Sequence, residues 1–138
     1  ERVWEYRERQ PEAIATLGVP HKLDVCLPVA ALPAYLEALP GVLAAAAPRA
    51  RLHVYGHAGD GNLHVNLAGL DPHDETADEA VLRLAAEHGG SIAAEHGVGQ
   101  AKTAWLHLSR SPAEIAAMRA VKAALDPAGV MNPGVLLP

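Results

Sequence analysis

The sequence predicts an α+β fold, one antiparallel sheet with helices on one face and an extra helix at its C-terminal end. Three observations predict it. Short segments alternate apolar and polar residues with the period of two that a half-buried strand requires, and longer ones repeat apolar residues every three or four positions, as an amphipathic helix does. The order of these segments is strand, helix, strand, strand, helix, strand, helix. That is the βαββαβ arrangement of a ferredoxin-like sheet with one more helix appended.

Residues 1–20 are expected to be an N-terminal helical segment: ERVWEYRERQ is charged, sets Val3, Trp4 and Arg7 near helical spacing, and is followed by Pro11. It begins in mid-helix, so the chain is expected to be a piece of a longer protein. The ferredoxin-like core is expected over 21–110. It opens with a strand at 21–29, where Leu23, Val25 and Leu27 share one side and Pro28 stops the run. A helix over 31–47 follows, with Leu32, Tyr35, Leu36, Leu39 and Leu43 on its stripe, Pro33 in its first turn and a disturbance at Pro40-Gly41. Segments 51–56 and 63–67 both alternate. The glycines of Gly59-Asp60-Gly61-Asn62 between them supply the positive φ of a tight connection, so the pair reads as a hairpin. Residues 74–88 carry Ala77, Ala80, Val81, Leu84 and Ala85 on one stripe behind an acidic first turn and stop at Gly89-Gly90. A short strand is expected at 91–94. In the last part, 111–138, Ser111-Pro112-Ala113-Glu114 opens a helix that runs to Leu125, and the tail 130–138 is too rich in helix breakers to continue it.

Composition narrows the function. At 138 residues the chain is one domain with enough length for its own core, and 50% hydrophobic against 20% charged residues exclude a disordered chain. Sixteen acidic and eleven basic side chains leave a net charge of −5 with no Lys/Arg block, which argues against a nucleic-acid partner. Cys26 is alone, cannot close an intrachain disulfide, and reads as a buried thiol that permits the cytoplasm. No apolar run comes near the roughly 18 residues of a membrane span, so no transmembrane segment is expected. The expected location is cytoplasmic, or peripheral at a membrane in the full-length protein.

Eight histidines are the unusual feature. Alternation sets His53, Tyr55 and His57 on one face of the second strand and His64 and Asn66 on the same face of the third, opposite the apolar set. A hairpin can bring His57 and His64 close enough for one divalent metal, with Gly56, Gly59 and Gly61 letting backbone approach a ligand. Two surface histidines beside a glycine-rich turn would show the same pattern. Glu95 and His96, among glycines, offer a third metal ligand and a general base, or equally a solvated strand end. An ideal fourth strand would leave Glu95 about 10 Å from the hairpin. Reaching His57 and His64 requires the strand end to bend over the sheet. His21, His53, His73, His88 and His107 are expected at the surface or at strand ends, and Arg7 and Lys22 are candidate anion binders.

Segment 56–66 (GHAGDGNLHVN), segment 90–99 (GSIAAEHGVG) with Lys102, and MRAVK at 118–122 with Leu125-Asp126-Pro127 and Asn132-Pro133-Gly134 resemble the C-terminal cap domain of FAD-linked oxidases. These are flavoproteins of the vanillyl-alcohol-oxidase type, among them D-lactate dehydrogenase, the glycolate oxidase FAD subunit and D-2-hydroxyglutarate dehydrogenase. WEYRE at 4–8 and KLDV at 22–25 match the segments that open the same domain. The resemblance implies a ferredoxin-like cap over a flavin whose FAD is bound mainly by a separate N-terminal domain. By position, His57, His64 and Glu95 match the ligands of a divalent metal, generally zinc. His96 matches the general base and Asn66 a substrate-contacting asparagine. Arg7 and Lys22 match residues that hold the substrate carboxylate, and Asn132 falls where the tail returns towards the flavin. Pro11 stands where relatives of the hydroxyglutarate type place a threonine.

The expected function is oxidation of a D-2-hydroxy acid of the lactate, glycolate or 2-hydroxyglutarate type to the 2-oxo acid, with electrons passed to an acceptor the sequence does not identify. The fragment alone is expected to be inactive. A non-catalytic metal- or small-ligand-binding module on a ferredoxin-like scaffold is the alternative. An apolar sheet face or helix left uncovered by the missing FAD-binding domain would favour self-association as a homodimer.

Overall fold

In the computed structural model, residues 2–137 are described; Glu1 of the expected N-terminal helix and Pro138 of the expected tail lie outside the described residues. Strands β1 (His21–Cys26), β2 (Arg51–His57) and β3 (Asn62–Ala68) form one sheet in the order β1-β3-β2. Both pairings are antiparallel. Alternation decides which face is covered: Leu23 and Val25 of β1, Leu63, Val65 and Leu67 of β3 and Leu52 and Val54 of β2 point one way. Helices α3 (Leu32–Ala46) and α4 (Thr76–Glu87) pack on that face. Val25, Tyr35, Leu39, Val65, Leu67, Val81 and Leu82 have no exposed surface there. Fully burying an aliphatic or aromatic side chain contributes about 1.5–3 kcal/mol, so this layer dominates the stability.

The expected fourth strand at 91–94 does not form among the described residues. Only one antiparallel bridge, Cys26 to Ser91, remains of it on the outer edge of β1. Side chains replace the ladder. The Ile92 amide donates to Ser109 Oγ at 2.9 Å, the Ile92 carbonyl accepts from Lys102 Nζ at 2.7 Å, and the Ala94 amide donates to Asp24 Oδ2 at 3.1 Å. With its backbone groups satisfied this way, the chain is free to leave the sheet edge.

The N-terminal segment is two short helices, α1 (Arg2–Glu8) and α2 (Gln10–Ala15). Pro11 therefore begins the second helix rather than ending the first, as suits a residue whose missing N–H would be unpaired in a first turn. Helix α3 passes through Pro40 unbroken. Pro40 and Leu36 both lie on its exposed side, where a carbonyl freed from the helix is left to solvent. With the 3₁₀ turn before it, this stretch (Val29–Ala46) has a mean hydropathy of 1.5 and is long and apolar enough to cross a membrane by length and composition. No single run in the sequence suggested that length. Its buried stripe of Leu32, Tyr35, Leu39 and Leu43 instead packs in the core.

Two buried or half-buried polar groups differ from expectation. His21 is not a surface histidine: it is 9% exposed, with Nδ1 at 2.9 Å from Asp78 Oδ2 and Nε2 at 3.0 Å from the Asp71 carbonyl. Cys26 is half-buried and its thiol donates to the Asp60 carbonyl at 3.4 Å. Helix α5 (Pro112–Leu125) starts on the expected capping box, in which the Glu114 amide donates to Ser111 Oγ at 3.2 Å and the Ser111 amide donates to Glu114 Oε2 at 2.7 Å. It buries no side chain.

Candidate active site

The face of the sheet opposite α3 and α4 carries three rows of aligned residues. Cys26, Asn62 and His57 share one row, Asp24, His64 and Tyr55 the next, and Lys22, Asn66 and His53 the third. Asn62, His64 and Asn66 of the central strand are all buried, so this face is covered at its middle and open at its rim.

Arg7 of α1 and Gln10, Ala13 and Ile14 of α2 lie against its β2 side at His53 and Tyr55, and the chain after Ser91 covers the β1 side. Asp24 Oδ2 accepts the amides of Ala94, at 3.1 Å, and of His96, at 2.8 Å, which draws the segment inward from the edge and over β1. Glu95, between the two, lands above the hairpin: its Oε1 is 3.4 Å from His57 Nε2 and its Oε2 is 3.7 Å from His64 Nε2. One donor atom from each of His57, His64 and Glu95 falls within 4.8 Å of the others. The distance that an ideal strand would impose is thus removed by the departure from strand geometry. The same irregularity lifts the parity rule for adjacent residues, because the His96 ring also turns to this face and stacks on His64, with centroids 5.6 Å apart and planes at 26°.

A cationic side chain completes the surround. The Arg7 guanidinium lies 4.7 Å from the centre of the Tyr55 ring, and that ring is 5.1 Å from His64. Lys22 is exposed on β1 in the row of Asn66, whose Nδ2 donates to the His64 carbonyl at 3.3 Å. Burial pushes the His64 imidazole below its usual range; the Asp24 and Glu95 carboxylates pull it back, while His96 and Arg7 push it further down. The net effect favours the neutral ring, which is the form that ligates metals.

Residues 1–136 match the family described as FAD linked oxidases, C-terminal domain. The chain belongs to this family. It is 40% identical to the D-2-hydroxyglutarate dehydrogenase of Stutzerimonas stutzeri (strain A1501), covering 96% of this chain and 30% of that protein. An uncharacterised FAD-linked oxidoreductase of Mycobacterium tuberculosis is 42% identical over 96% of this chain and 28% of its own length. The mitochondrial D-2-hydroxyglutarate dehydrogenase of Arabidopsis thaliana is 37% identical over 98% and 24%. The chain therefore spans less than a third of the length of these curated relatives.

For an FAD-linked oxidase domain, the donor set fits a divalent cation. Two imidazoles and a carboxylate converge, and behind His64 the buried Asp24 Oδ1 has no hydrogen-bond partner while standing 3.5 Å from His64 Nδ1. A carboxylate behind a ligating imidazole is the usual outer support of such sites. Asn132 stands apart from this cluster. It lies in the tail at φ 45° and lines a groove against α5, and the tail is tied beside the His96 loop by the Leu136 amide, which donates to the Gly99 carbonyl at 2.8 Å.

Two residues that fall in the matching segments, Asp24 and Lys102, had no role assigned from the sequence. Lys102 is buried, and its Nζ donates to the Asp24 carbonyl at 3.1 Å as well as to Ile92. Alternation sets Asp24 with Lys22 on the polar face of the strand, an ordinary place for an acidic residue, so no local signal reports its burial. Gly56 and Gly61 also serve a different end from ligand approach. A Cβ at Gly56 would sit 2.2 Å from the Asn62 carbonyl and one at Gly61 1.9 Å from the Leu27 carbonyl, so each permits close passage of backbone within the protein.

Proposed function

We propose that this chain is the substrate-covering domain of an FAD-dependent oxidoreductase that converts a D-2-hydroxy acid to its 2-oxo acid. The observation that carries the reading is the convergence of His57, His64 and Glu95, with His96 stacked on His64, on the sheet face opposite the core helices, in a domain of the FAD-linked oxidase family. His57, His64 and Glu95 would hold a divalent metal, zinc being the candidate, and two imidazoles with one carboxylate leave positions open for substrate. When bound, the metal supplies Lewis acidity at the substrate hydroxyl, and FAD, held mainly outside this chain, accepts the hydride.

The remaining roles belong to the chain's own side chains. Exposed and stacked on His64, the His96 imidazole takes the hydroxyl proton. Arg7 and Lys22 hold the substrate carboxylate, Arg7 with its guanidinium already placed by Tyr55. Asn66 fixes the substrate from the buried centre of the sheet, and Asn132 in the tail faces the flavin side. Among the lactate, glycolate and 2-hydroxyglutarate types, the names of the relatives favour 2-hydroxyglutarate.

The test is kinetic and analytical together. In the full-length protein, His96→Ala should lower kcat by about 10²–10⁴-fold, the usual contribution of a positioned acid or base, while the metal content measured by elemental mass spectrometry stays at the wild-type level. His57→Ala with His64→Ala should abolish the bound metal. Turnover retained in His96→Ala removes the assigned base, and metal retained in the double variant removes the assigned ligands.

A further inference from the structure

We propose that Asp24 is the positioning residue of this site, a single buried carboxylate that fixes the ring of His64 with one oxygen and the Glu95-His96 segment with the other. The inference rests on the reading of His57, His64 and Glu95 as a metal site, and it concerns a residue to which that reading gives no part.

Asp24 sits in the middle of β1, opposite His64 in the sheet register, and is 1% exposed. Its two oxygens are used differently. Oδ2 accepts two backbone amides, from Ala94 and His96, the residues on either side of Glu95. These bonds set the height at which Glu95 crosses the sheet. Oδ1 accepts no hydrogen bond and faces His64 Nδ1 at 3.5 Å. Both ring nitrogens face a carboxylate, but Asp24 is buried and fixed by its Oδ2 bonds while Glu95 is exposed and would turn to the metal; in the neutral ring Asp24 therefore holds the proton on Nδ1 and leaves Nε2, 3.7 Å from Glu95, as the nitrogen that would ligate. Behind Asp24, the buried Lys102 ammonium bonds the Asp24 and Ile92 carbonyls and so pins β1 to the foot of the crossing segment.

Stability alone does not account for this choice of residue. A buried carboxylate and a buried ammonium each carry a large desolvation cost, and well-packed apolar residues serve a core at least as well. An ordinary edge strand would also satisfy the backbone of 91–96, but it would leave Glu95 two strands from His64. Asp24 makes the bend and orients the ring with one side chain.

The variant Asp24→Asn separates the two oxygens. Its carbonyl oxygen can still accept the two amides, whereas its amide group would donate towards His64 Nδ1 and so favour the proton on Nε2, where it blocks ligation. Two measurements on the 138-residue chain test this. Long-range ¹H–¹⁵N NMR of the metal-free chain, above the imidazole titration, should show His64 protonated on Nδ1 in the wild type and on Nε2 in Asp24→Asn. Zinc affinity by calorimetry should fall about 10–100-fold in the variant, the usual effect of losing such a support. A wild-type His64 protonated on Nε2, or the same ring form in both proteins, overturns the proposal. The wild-type spectrum needs no variant, so an Asp24→Asn that does not fold leaves the test in place. Whether zinc is the resident ion is decided by the metal content of the full-length protein, and the ring form decides on Asp24 whether or not the 138-residue chain binds zinc by itself.

Discussion

His21 joins β1 to α4 through bonds that only a charged ring can make at once. Both ring nitrogens face acceptors, Asp78 on one side and the Asp71 carbonyl on the other, so both must carry protons. Burial, the largest influence, works against the cation, but the Asp78 hydrogen bond and charge, the Asp71 carbonyl and the Asp74 charge outweigh it and raise the imidazole above its usual range. Burial raises the Asp78 carboxyl in turn, against the bond and charge of His21. A histidine raised on folding gives its full stabilisation below its unfolded value of about 6.5 and loses it as pH climbs through the folded value. Replacing Asp78 by Asn should therefore cost about 1–3 kcal/mol at pH 6, with the gap to wild type narrowing as pH rises through that window. Urea denaturation at a series of pH values measures it. A gap that stays constant or widens would show that the ring is neutral in the fold.

At the scale of the elements, the hairpin was the most legible part of the site, because alternation alone places His57, His64 and Asn66 on one face and the apolar residues on the other. The fourth strand was the least legible. Its loss follows from hydrogen bonds made by Asp24, Lys102 and Ser109, partners distant in sequence that no local pattern around 91–94 reports. The same loss carries Glu95 across to the hairpin, so the error in fold and the convergence of the site have one cause. The turn between β2 and β3 has a local constraint that can be measured. Gly61 has φ 80°, and its carbonyl accepts the Leu27 amide at 2.9 Å, while a Cβ there would meet the Leu27 carbonyl. Gly61→Ala should cost about 2–4 kcal/mol, from left-handed backbone strain and overpacking together. Gly59 has no atom within 4 Å of an added Cβ, so Gly59→Ala should stay within about 0.5 kcal/mol of wild type. Equal costs in urea denaturation would show that the turn is not held by the contact with Leu27.

Across the whole molecule, the sheet divides two tasks: one face builds the core with α3 and α4, and the other carries the site. Helix α5 belongs to neither. Its stripe of Ile115, Met118, Val121 and Leu125 has the spacing of a core-facing helix, yet Val121 is 59% and Leu125 73% exposed, because periodicity reports that a face exists and not what covers it. The helix is instead stabilised within itself and by its tail: the Ser111 capping box holds its start, and Asp126 holds its end by accepting the Val130 and Met131 amides at 2.9 Å. Such local bonds open more readily than a packed core, since opening costs little buried apolar surface. Hydrogen exchange of the 138-residue chain should therefore rank the elements. The amides of β3, whose seven residues are all buried, should exchange only on global unfolding, and those of α5 should exchange about 100-fold or more faster through local opening. Helix amides in α5 that persist as long as those of β3 would place this helix within the cooperative core and contradict the division drawn from burial.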